Sequence, residues 1–402
     1  MLAAVASLGL LLASGETIRW NASVETQARG RNEPGIAAGG RSGLGELDLH
    51  AQLGLSTQGA DGAAALTYLP SLLFSQVAFG VAGDAVNATR HGGRLELKTR
   101  LTATTRLTSR TSLDWGLTDF SPLSGQVAPP VAGLLPAQRF VRTLGVETML
   151  DLTHAFSHRL QLSVAAGLQR SGGVGHDAVS VLPFQVGPQA TASLSWAADR
   201  TNTITLLAAA SESRFSSGTF LASASGSRSS SGLTSVLSSL EPGWTLRASS
   251  HTVVDAAAGL VLVRSSGPDF FSRGIYGSGT LGAAWDLLMA PQRALRTSLR
   301  LRLVPGVDRL TALAILAARA EGNAELTQGR LRLGAFASEG HIISGAGVGA
   351  DDLRLEARSS WAVAHGWALE SRMGAAWTNQ LLFTGWQFQA LVGVHWVDRG
   401  SF

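Results

Sequence analysis

The stretch "ETIRWNASVETQAR", Glu16–Arg29, alternates between apolar and polar side chains. One parity carries apolar residues and the other polar or charged ones: Ile18, Trp20, Ala22 and Val24 against Arg19, Asn21, Ser23, Glu25, Gln27 and Arg29. Successive side chains of an extended chain point to opposite faces, so a period of two predicts a strand. A long strand with one apolar and one charged face suits a soluble sandwich, and it equally suits a barrel surrounded by lipid.

The same alternation returns along the whole chain. Five further segments show it most clearly: Glu46–Ser56, Arg94–Leu107, Arg159–Arg170, Leu295–Leu303 and Asp352–Trp361. On a helix these apolar residues would scatter around the cylinder and form no stripe. The pattern therefore predicts an all-β protein, although composition alone leaves helix and strand open for Leu310–Gly322.

The breaks between these segments are of two kinds. We predict short turns at Gln58–Gly62, Thr108–Thr111, His154–His158, Asp199–Asn202, Glu241–Gly243, Ala290–Arg293, Glu321–Asn323 and Ala364–Gly366. Longer connections are predicted near 30–44, 75–92, 122–139, 171–187, 214–231, 265–275, 305–309, 338–350 and 379–384. These breaks predict a single antiparallel transmembrane β-barrel of about 18 strands (16–18), with short periplasmic turns and longer extracellular loops. Pro70 is expected at a bulge or a strand end, because proline cannot donate to the ladder.

Composition narrows the class of protein. The chain has 402 residues, enough for several soluble domains or one large barrel. Only 15% of residues are charged, whereas soluble domains carry about 25%. The net charge is +4, but the arginines are spread along the chain, which argues against a nucleic-acid partner. Cysteine is absent, so a disulfide, a thiolate metal site and a cysteine nucleophile are excluded.

The first residues have the character of a secretory signal. An apolar run from Leu2 to Ala13 precedes the small residues Ser14 and Gly15, although no basic residue stands before the run. We therefore expect residues 1–15 to form a signal-peptide-like segment and residues 16–402 to form the barrel. The alternative is a buried N-terminal helix.

Tryptophan gives a second indication of a membrane, because indole rings favour the headgroup boundary. Eight of the tryptophans are expected beside short turns or at the periplasmic end of a terminal strand: Trp20, Trp115, Trp196, Trp244, Trp285, Trp361, Trp367 and Trp396. Trp377 and Trp386 flank the connection near 379–384, at the opposite rim. All ten are predicted membrane-interface aromatics.

The C-terminal sequence "GWQFQALVGVHWVDRGSF", Gly385–Phe402, alternates up to Trp396. With this ending, the hairpin pattern and the signal-like start, the chain resembles porin-like outer-membrane β-barrel proteins of Gram-negative bacteria. The resemblance implies an outer-membrane location, surrounding lipid and lipopolysaccharide, and insertion by the barrel-assembly machinery through Trp396 or Phe402. The overall layout, with "LTYLPSLLF", Leu66–Phe74, in the third strand, is also similar to barrels found beside polysaccharide-secretion systems, which implies envelope export components as partners.

If the apolar face meets lipid, the charged face lines a lumen. The predicted pore-lining residues are Arg94, Glu96, Lys98, Arg100, Arg296, Arg300, Arg302, Arg330, Arg332, Arg354, Arg358, Glu370 and Arg372. A barrel of this size leaves an aqueous channel, and arginine-rich walls would favour anionic solutes or acidic glycans. The alternative is that lumen acids balance these arginines: Glu25, Glu46, Asp48, Glu147, Glu356 and Glu370.

Candidate catalytic groups are few. His341, Asp351 and Asp352 border one loop, but acids at the start of a strand are usually only solvated. The nine histidines show no metal-ligand spacing, and no phosphate-binding motif has the required context. We expect a channel or export conduit for hydrophilic solutes, with no catalysis, metal or cofactor. The alternatives are a structural or adhesive barrel that displays loops, an enzyme barrel, and a soluble β-protein.

Overall fold

A computed structural model describes residues 17–34, 41–78, 86–119, 140–215, 219–220, 228–229, 233–267, 270–290, 292–307, 314–345, 349–380 and 383–401. The predicted signal-like segment and Phe402 therefore lie outside the described residues. In the part of the chain that is described, no helix has both the length and the apolar character needed to cross a membrane.

Eighteen strands form one antiparallel barrel. They are β1 (Ile18–Pro34), β2 (Arg41–Gln58), β3 (Gly62–Ala78), β4 (Val86–Arg100), β5 (Thr105–Asp119), β6 (Phe140–Ala155), β7 (Leu160–Gly173), β8 (Gln185–Ala197), β9 (Asn202–Phe215), β12 (Thr234–Ser249), β13 (Thr252–Gly267), β14 (Phe270–Ala290), β15 (Arg293–Val307), β16 (Ala314–Gln328), β17 (Leu331–Gly345), β18 (Asp351–Ala364), β19 (Trp367–Gln380) and β20 (Phe383–Ser401). A two-residue pair, β10 (Thr219–Phe220) with β11 (Arg228–Ser229), and a helix, α1 (His176–Val181), lie between barrel strands. β1 pairs with both β2 and β20, so the barrel is closed and its predicted architecture is confirmed.

The outer face of the barrel is apolar. Leu168, Leu260 and Ile275 point outward and are 64%, 63% and 66% exposed. A soluble protein would bury side chains of this size, whereas a barrel in a bilayer presents them to hydrocarbon. The alternation seen in Glu16–Arg29 therefore separates a lipid face from an interior face.

Tryptophans mark both rims of the apolar band. Seven lie on strands near the short turns: Trp20, Trp196, Trp244, Trp285, Trp361, Trp367 and Trp396. Trp377 pairs with Trp386 at the long-loop rim, as expected. Trp115 also lies near that rim, four residues before the end of β5, so its expected position beside a short turn is wrong.

Three predicted turns are wrong, and the one at Thr108–Thr111 explains the misplaced Trp115. Thr108–Thr111, Glu241–Gly243 and Glu321–Asn323 all lie inside strands. The chain instead turns at 101–104, 250–251 and 329–330. Polar residues such as Glu241 and Asn323 fall on the interior parity, where a hydrated lumen accepts them. Polar clusters consequently do not mark the ends of strands in this fold.

The turn after β8 is stabilised by a side chain of its own. Asp199 accepts hydrogen bonds from the Thr201 hydroxyl and the Asn202 side-chain amide, at 2.8 Å each. These bonds hold the pKa of the Asp199 carboxyl well below its usual range.

Prolines lie within strands and interrupt the ladder on one side. Pro70 pairs with His91 of β4, but on the β2 side no pairs form between His50↔Ser71 and Leu53↔Tyr68. Pairing is interrupted in the same way at Pro188, between β8 and β9, and at Pro242, between β12 and β13. A proline has no N–H to donate, so one neighbouring strand loses its partner there. Pro70 is therefore in mid-strand, at a gap in the ladder.

Candidate functional site

The barrel interior is the candidate site. Of the predicted pore-lining residues, the structure places all but one on the interior parity of a strand: Arg94, Glu96, Lys98, Arg100, Arg296, Arg300, Arg302, Arg332, Arg354, Arg358, Glu370 and Arg372. Arg330 is the exception. It lies in the turn between β16 and β17, and its guanidinium donates to the Val363 carbonyl at 3.5 Å.

Exposure of the interior side chains falls from the turn rim towards the long-loop rim. On β15 the side chains of Arg296, Arg300 and Arg302 are 71%, 47% and 29% exposed, in that direction. Arg319, which faces Arg302 on β16, is 12% exposed. The lumen is therefore hydrated near the turns, and we call this region, around Arg296 and Arg300, the vestibule. Towards the loops the lumen becomes dry.

Interior residues close to the loop ends of several strands are buried. Ile315 on β16 is fully buried, and Val141 on β6, Val263 on β13 and Leu73 on β3 are nearly so. These residues come from well-separated parts of the wall. The narrowing of the lumen is therefore a feature of the barrel as a whole.

Acidic partners lie beside most of the lumen arginines. Arg296 is 3.4 Å from Asp286, Arg300 is 3.9 Å from Asp255, and Arg302 is 4.0 Å from Glu321. Lys98 and Arg110 both contact Glu96, at 3.2 and 3.0 Å. Most of these acids were not among the predicted lumen residues. Their inward parity is the signal that would have found them, but pairing them with arginines requires the strand register.

Three arginines converge on a pocket in the lumen wall. Arg332, Arg358 and Arg372 come from the adjacent strands β17, β18 and β19 and line a cavity of about 220 Å³, which we call the arginine pocket. Arg358 pairs directly with Arg372 across the strands. On β17, Gly334 is opposite Arg358, and a Cβ added there would lie 2.6 Å from Arg358 Nε. Glycine at this position leaves room for the guanidinium.

Acids also lie in and beside the arginine pocket, and Glu325 and Glu370 form part of its lining. Glu325 is 3.5 Å from Arg358, and Glu356 is 3.1 Å from Arg372. Within the described strands no carboxylate lies within 4 Å of Arg332. Two guanidiniums directly opposite each other, with a third nearby, can bind an anionic group in competition with these acids.

The dry part of the lumen contains a buried charge cluster on β1 and β2. Arg29 donates to Asp48 at 3.0 Å and lies 3.8 Å from Glu46. His50 lies 3.0 Å from the same carboxylate of Asp48. Arg29 and Asp48 are nearly or fully removed from solvent, which makes this ion pair very different from those of the vestibule.

The candidate catalytic residues do not converge. His341 Nδ1 and Asp351 Oδ1 are hydrogen-bonded, but both residues lie on the outward parity of β17 and β18. Asp352 is on the opposite parity and points into the barrel. Among the described residues no group of three or more His, Asp or Glu side chains is arranged to hold a metal ion.

Comparison with known proteins links this barrel to a family. A sequence profile of the EpsX exopolysaccharide export family matches residues 10–269. No curated protein matches the sequence significantly. OccK9 (OpdG) of Pseudomonas aeruginosa is 11% identical over 95% of this chain and 98% of its own, with a TM-score of 0.50. The FrpB iron transporter of Neisseria meningitidis is 9% identical over 92% of this chain and 63% of its own, with a TM-score of 0.52.

At these identities the likeness to solved structures is one of fold. That fold, the apolar outer face and the two tryptophan rims place the protein in the outer membrane of a Gram-negative bacterium.

Proposed function

Because the chain belongs to the EpsX exopolysaccharide export family, we propose that its barrel is the outer-membrane conduit for an acidic exopolysaccharide. The arginine pocket is the observation that carries this proposal. A guanidinium binds a carboxylate through two parallel hydrogen bonds, and a sugar acid presents such a carboxylate along a polymer at regular intervals. Arg332, Arg358 and Arg372 would receive these groups as the chain passes.

The solvent exposure of the lumen side chains fits entry from the periplasm. The vestibule is hydrated at the turn rim, which is the periplasmic side of an outer-membrane barrel. A polymer would enter there and move towards the narrower half. Conduction requires binding that is weak enough for release. The ion pairs of the vestibule meet this requirement, because their acids compete with the polymer for the arginines.

The proposal extends to partners and chemistry. We propose that the barrel receives polymer from envelope export components, that the barrel-assembly machinery inserts it, and that it catalyses no reaction. The outward position of His341 and Asp351 supports the last point, because it separates them from the lumen and from Asp352.

Neutralising the arginine pocket should reduce export. We expect the triple substitution Arg332→Gln, Arg358→Gln and Arg372→Gln to lower the yield of exported acidic polymer about tenfold, because charge-assisted hydrogen bonds to the carboxylates are lost. In planar bilayers the same variant should shift the permeability ratio from anions towards cations. Polymer yield and reversal potential in a salt gradient are the two measurements.

The matched control removes three positive charges from the lumen away from the pocket, by Arg94→Gln, Arg100→Gln and Arg296→Gln. We expect export by this variant to stay within about twofold of the wild type, because none of the three arginines lines the arginine pocket and Arg296 is already paired and exposed. Equal losses of export in both variants would mean that the pocket acts only through the total positive charge of the lumen. No loss in either would contradict the proposal.

A structural or adhesive barrel is the second candidate, because the interior near the long-loop rim is dry. Deletion of the gene separates the two functions. A conduit requires exported polymer to disappear and to accumulate in the periplasm, whereas an adhesive barrel leaves the amount outside the cell unchanged.

A further inference from the structure

Four arginines on the outer face form a patch near the long-loop rim. Arg170 on β7, Arg214 on β9, Arg264 on β13 and Arg273 on β14 are all exposed and share the parity of the lipid-facing leucines. Each lies within three residues of the loop end of its strand. The outer arginine patch, as we call it, therefore stands at the level of the outer-leaflet headgroups.

The arrangement of these arginines favours the binding of an anion. Arg170 and Arg214 both pair with Val186 of β8, which separates them by about 10 Å, two strand spacings. Arg264 is directly opposite Arg273, where like charges repel. Among the described residues no carboxylate lies within 4 Å of either, and Arg264 instead stacks over the Phe271 ring at 5.3 Å. Glu212, 2.8 Å from Arg214, is the acid that the patch does contact.

The surface next to the patch is apolar. Leu168 is two residues from Arg170 on the same face, Ile275 is two residues from Arg273, and Leu260 is four residues from Arg264. A cationic rim above exposed leucine and isoleucine is complementary to an amphiphile with an anionic head and acyl chains. Neither a free anion nor an uncharged lipid would use both parts of this surface.

We propose that the outer arginine patch binds the phosphate groups of a phosphorylated glycolipid in the outer leaflet, of the lipopolysaccharide class. Arginine binds phosphate oxygens through paired N–H donors, and basic side chains at a membrane surface attract anionic headgroups. A phosphate between Arg264 and Arg273 removes their mutual repulsion. The acyl chains lie on the leucines below.

The loop ends of β17 and β18 are unsuited to a phosphate. On β17 and β18 the outward side chains near the loop end include Glu339, His341 and Asp351. These acids would repel a phosphate rather than bind it. A bound glycolipid would therefore avoid β17 and β18 and lie on the side of the barrel that carries the four arginines.

Native mass spectrometry of the purified full-length barrel in detergent tests the proposal, with diphosphoryl lipid A as the probe. We expect a bound lipid A on the wild type and an affinity at least tenfold lower for Arg264→Gln with Arg273→Gln, since each basic side chain contributes about fivefold near an anionic surface. Arg293→Gln is the matched control. It removes an exposed charge at the start of β15, at the turn rim, and should leave the affinity unchanged.

Two further arms separate the possible outcomes. Lipid A without its phosphates should bind at least tenfold more weakly than diphosphoryl lipid A, and inorganic phosphate in the low millimolar range should not displace it. Displacement by phosphate alone would overturn the lipid site in favour of a free-anion site. Equal affinities of the double variant and Arg293→Gln for lipid A would show that the outer arginine patch is not the binding site. If the double variant fails to fold, Arg170→Gln with Arg214→Gln provides the same test.

Discussion

Replacing Asp48 with alanine is expected to lower the free energy of unfolding of the barrel by about 3 kcal/mol. Asp48 is fully buried and accepts the hydrogen bond of the buried Arg29 guanidinium. Without it, Glu46, at 3.8 Å, is the carboxylate that remains beside Arg29 among the described residues, so a charge is left in the dry half of the lumen with incomplete compensation. Glu46 is the reason to expect a loss at the low end of the usual range of about 3–5 kcal/mol for a broken buried ion pair. Urea titration of the refolded barrel in phospholipid vesicles measures the change.

Asp286→Ala is the matched control for this prediction. Asp286 is also the acid of an arginine ion pair in the lumen, but its side chain is 62% exposed in the vestibule. Water replaces the lost partner there, so the expected change is below about 1 kcal/mol. A similar loss from both substitutions would mean that the two halves of the lumen are equally hydrated. The proposed narrowing towards the loops would then be wrong.

The alternation of side chains was sufficient to predict the barrel. A strand in this fold needs one face for lipid and one for water. Segments such as Glu46–Ser56 therefore alternate apolar and polar residues. The number of strands followed from the number of breaks. The position of three breaks did not, because a wet interior accepts residues such as Glu241 and Asn323 in mid-strand. The barrel closes because β1 pairs with β20, and no single segment of the sequence predicts that pairing.

The site was predictable residue by residue, but its chemistry was not. Parity is a local property, and it placed Arg332, Arg358 and Arg372 on the charged face. Their convergence on one pocket depends on three strands that meet in a particular register. The same holds for Asp255, which faces Arg300 only after β13, β14 and β15 have paired. Long-range pairing turns a list of lumen residues into ion pairs and a pocket.

Leu260→Arg should destabilise the barrel by roughly 2–4 kcal/mol, because it places a charge at the level of the bilayer centre. Leu260 lies in the middle of β13, points outward, and is 63% exposed. Its neighbours across the strands are Leu240 and Gly277, so no acid on the outer face is positioned to compensate the new guanidinium. The measurement is again the urea midpoint in phospholipid vesicles.

Leu287→Arg separates the effect of depth from that of the substitution itself. Leu287 also points outward and is 51% exposed, but it lies beside Trp285 near the turn rim. A guanidinium there reaches the headgroups, so the expected cost is about 0–1 kcal/mol. This gradient with depth arises only if hydrocarbon surrounds the barrel. If both arginine variants were as stable as the wild type, the leucine face would be in water. The proposals of a transmembrane conduit and of a glycolipid site on its outer surface would then both be wrong.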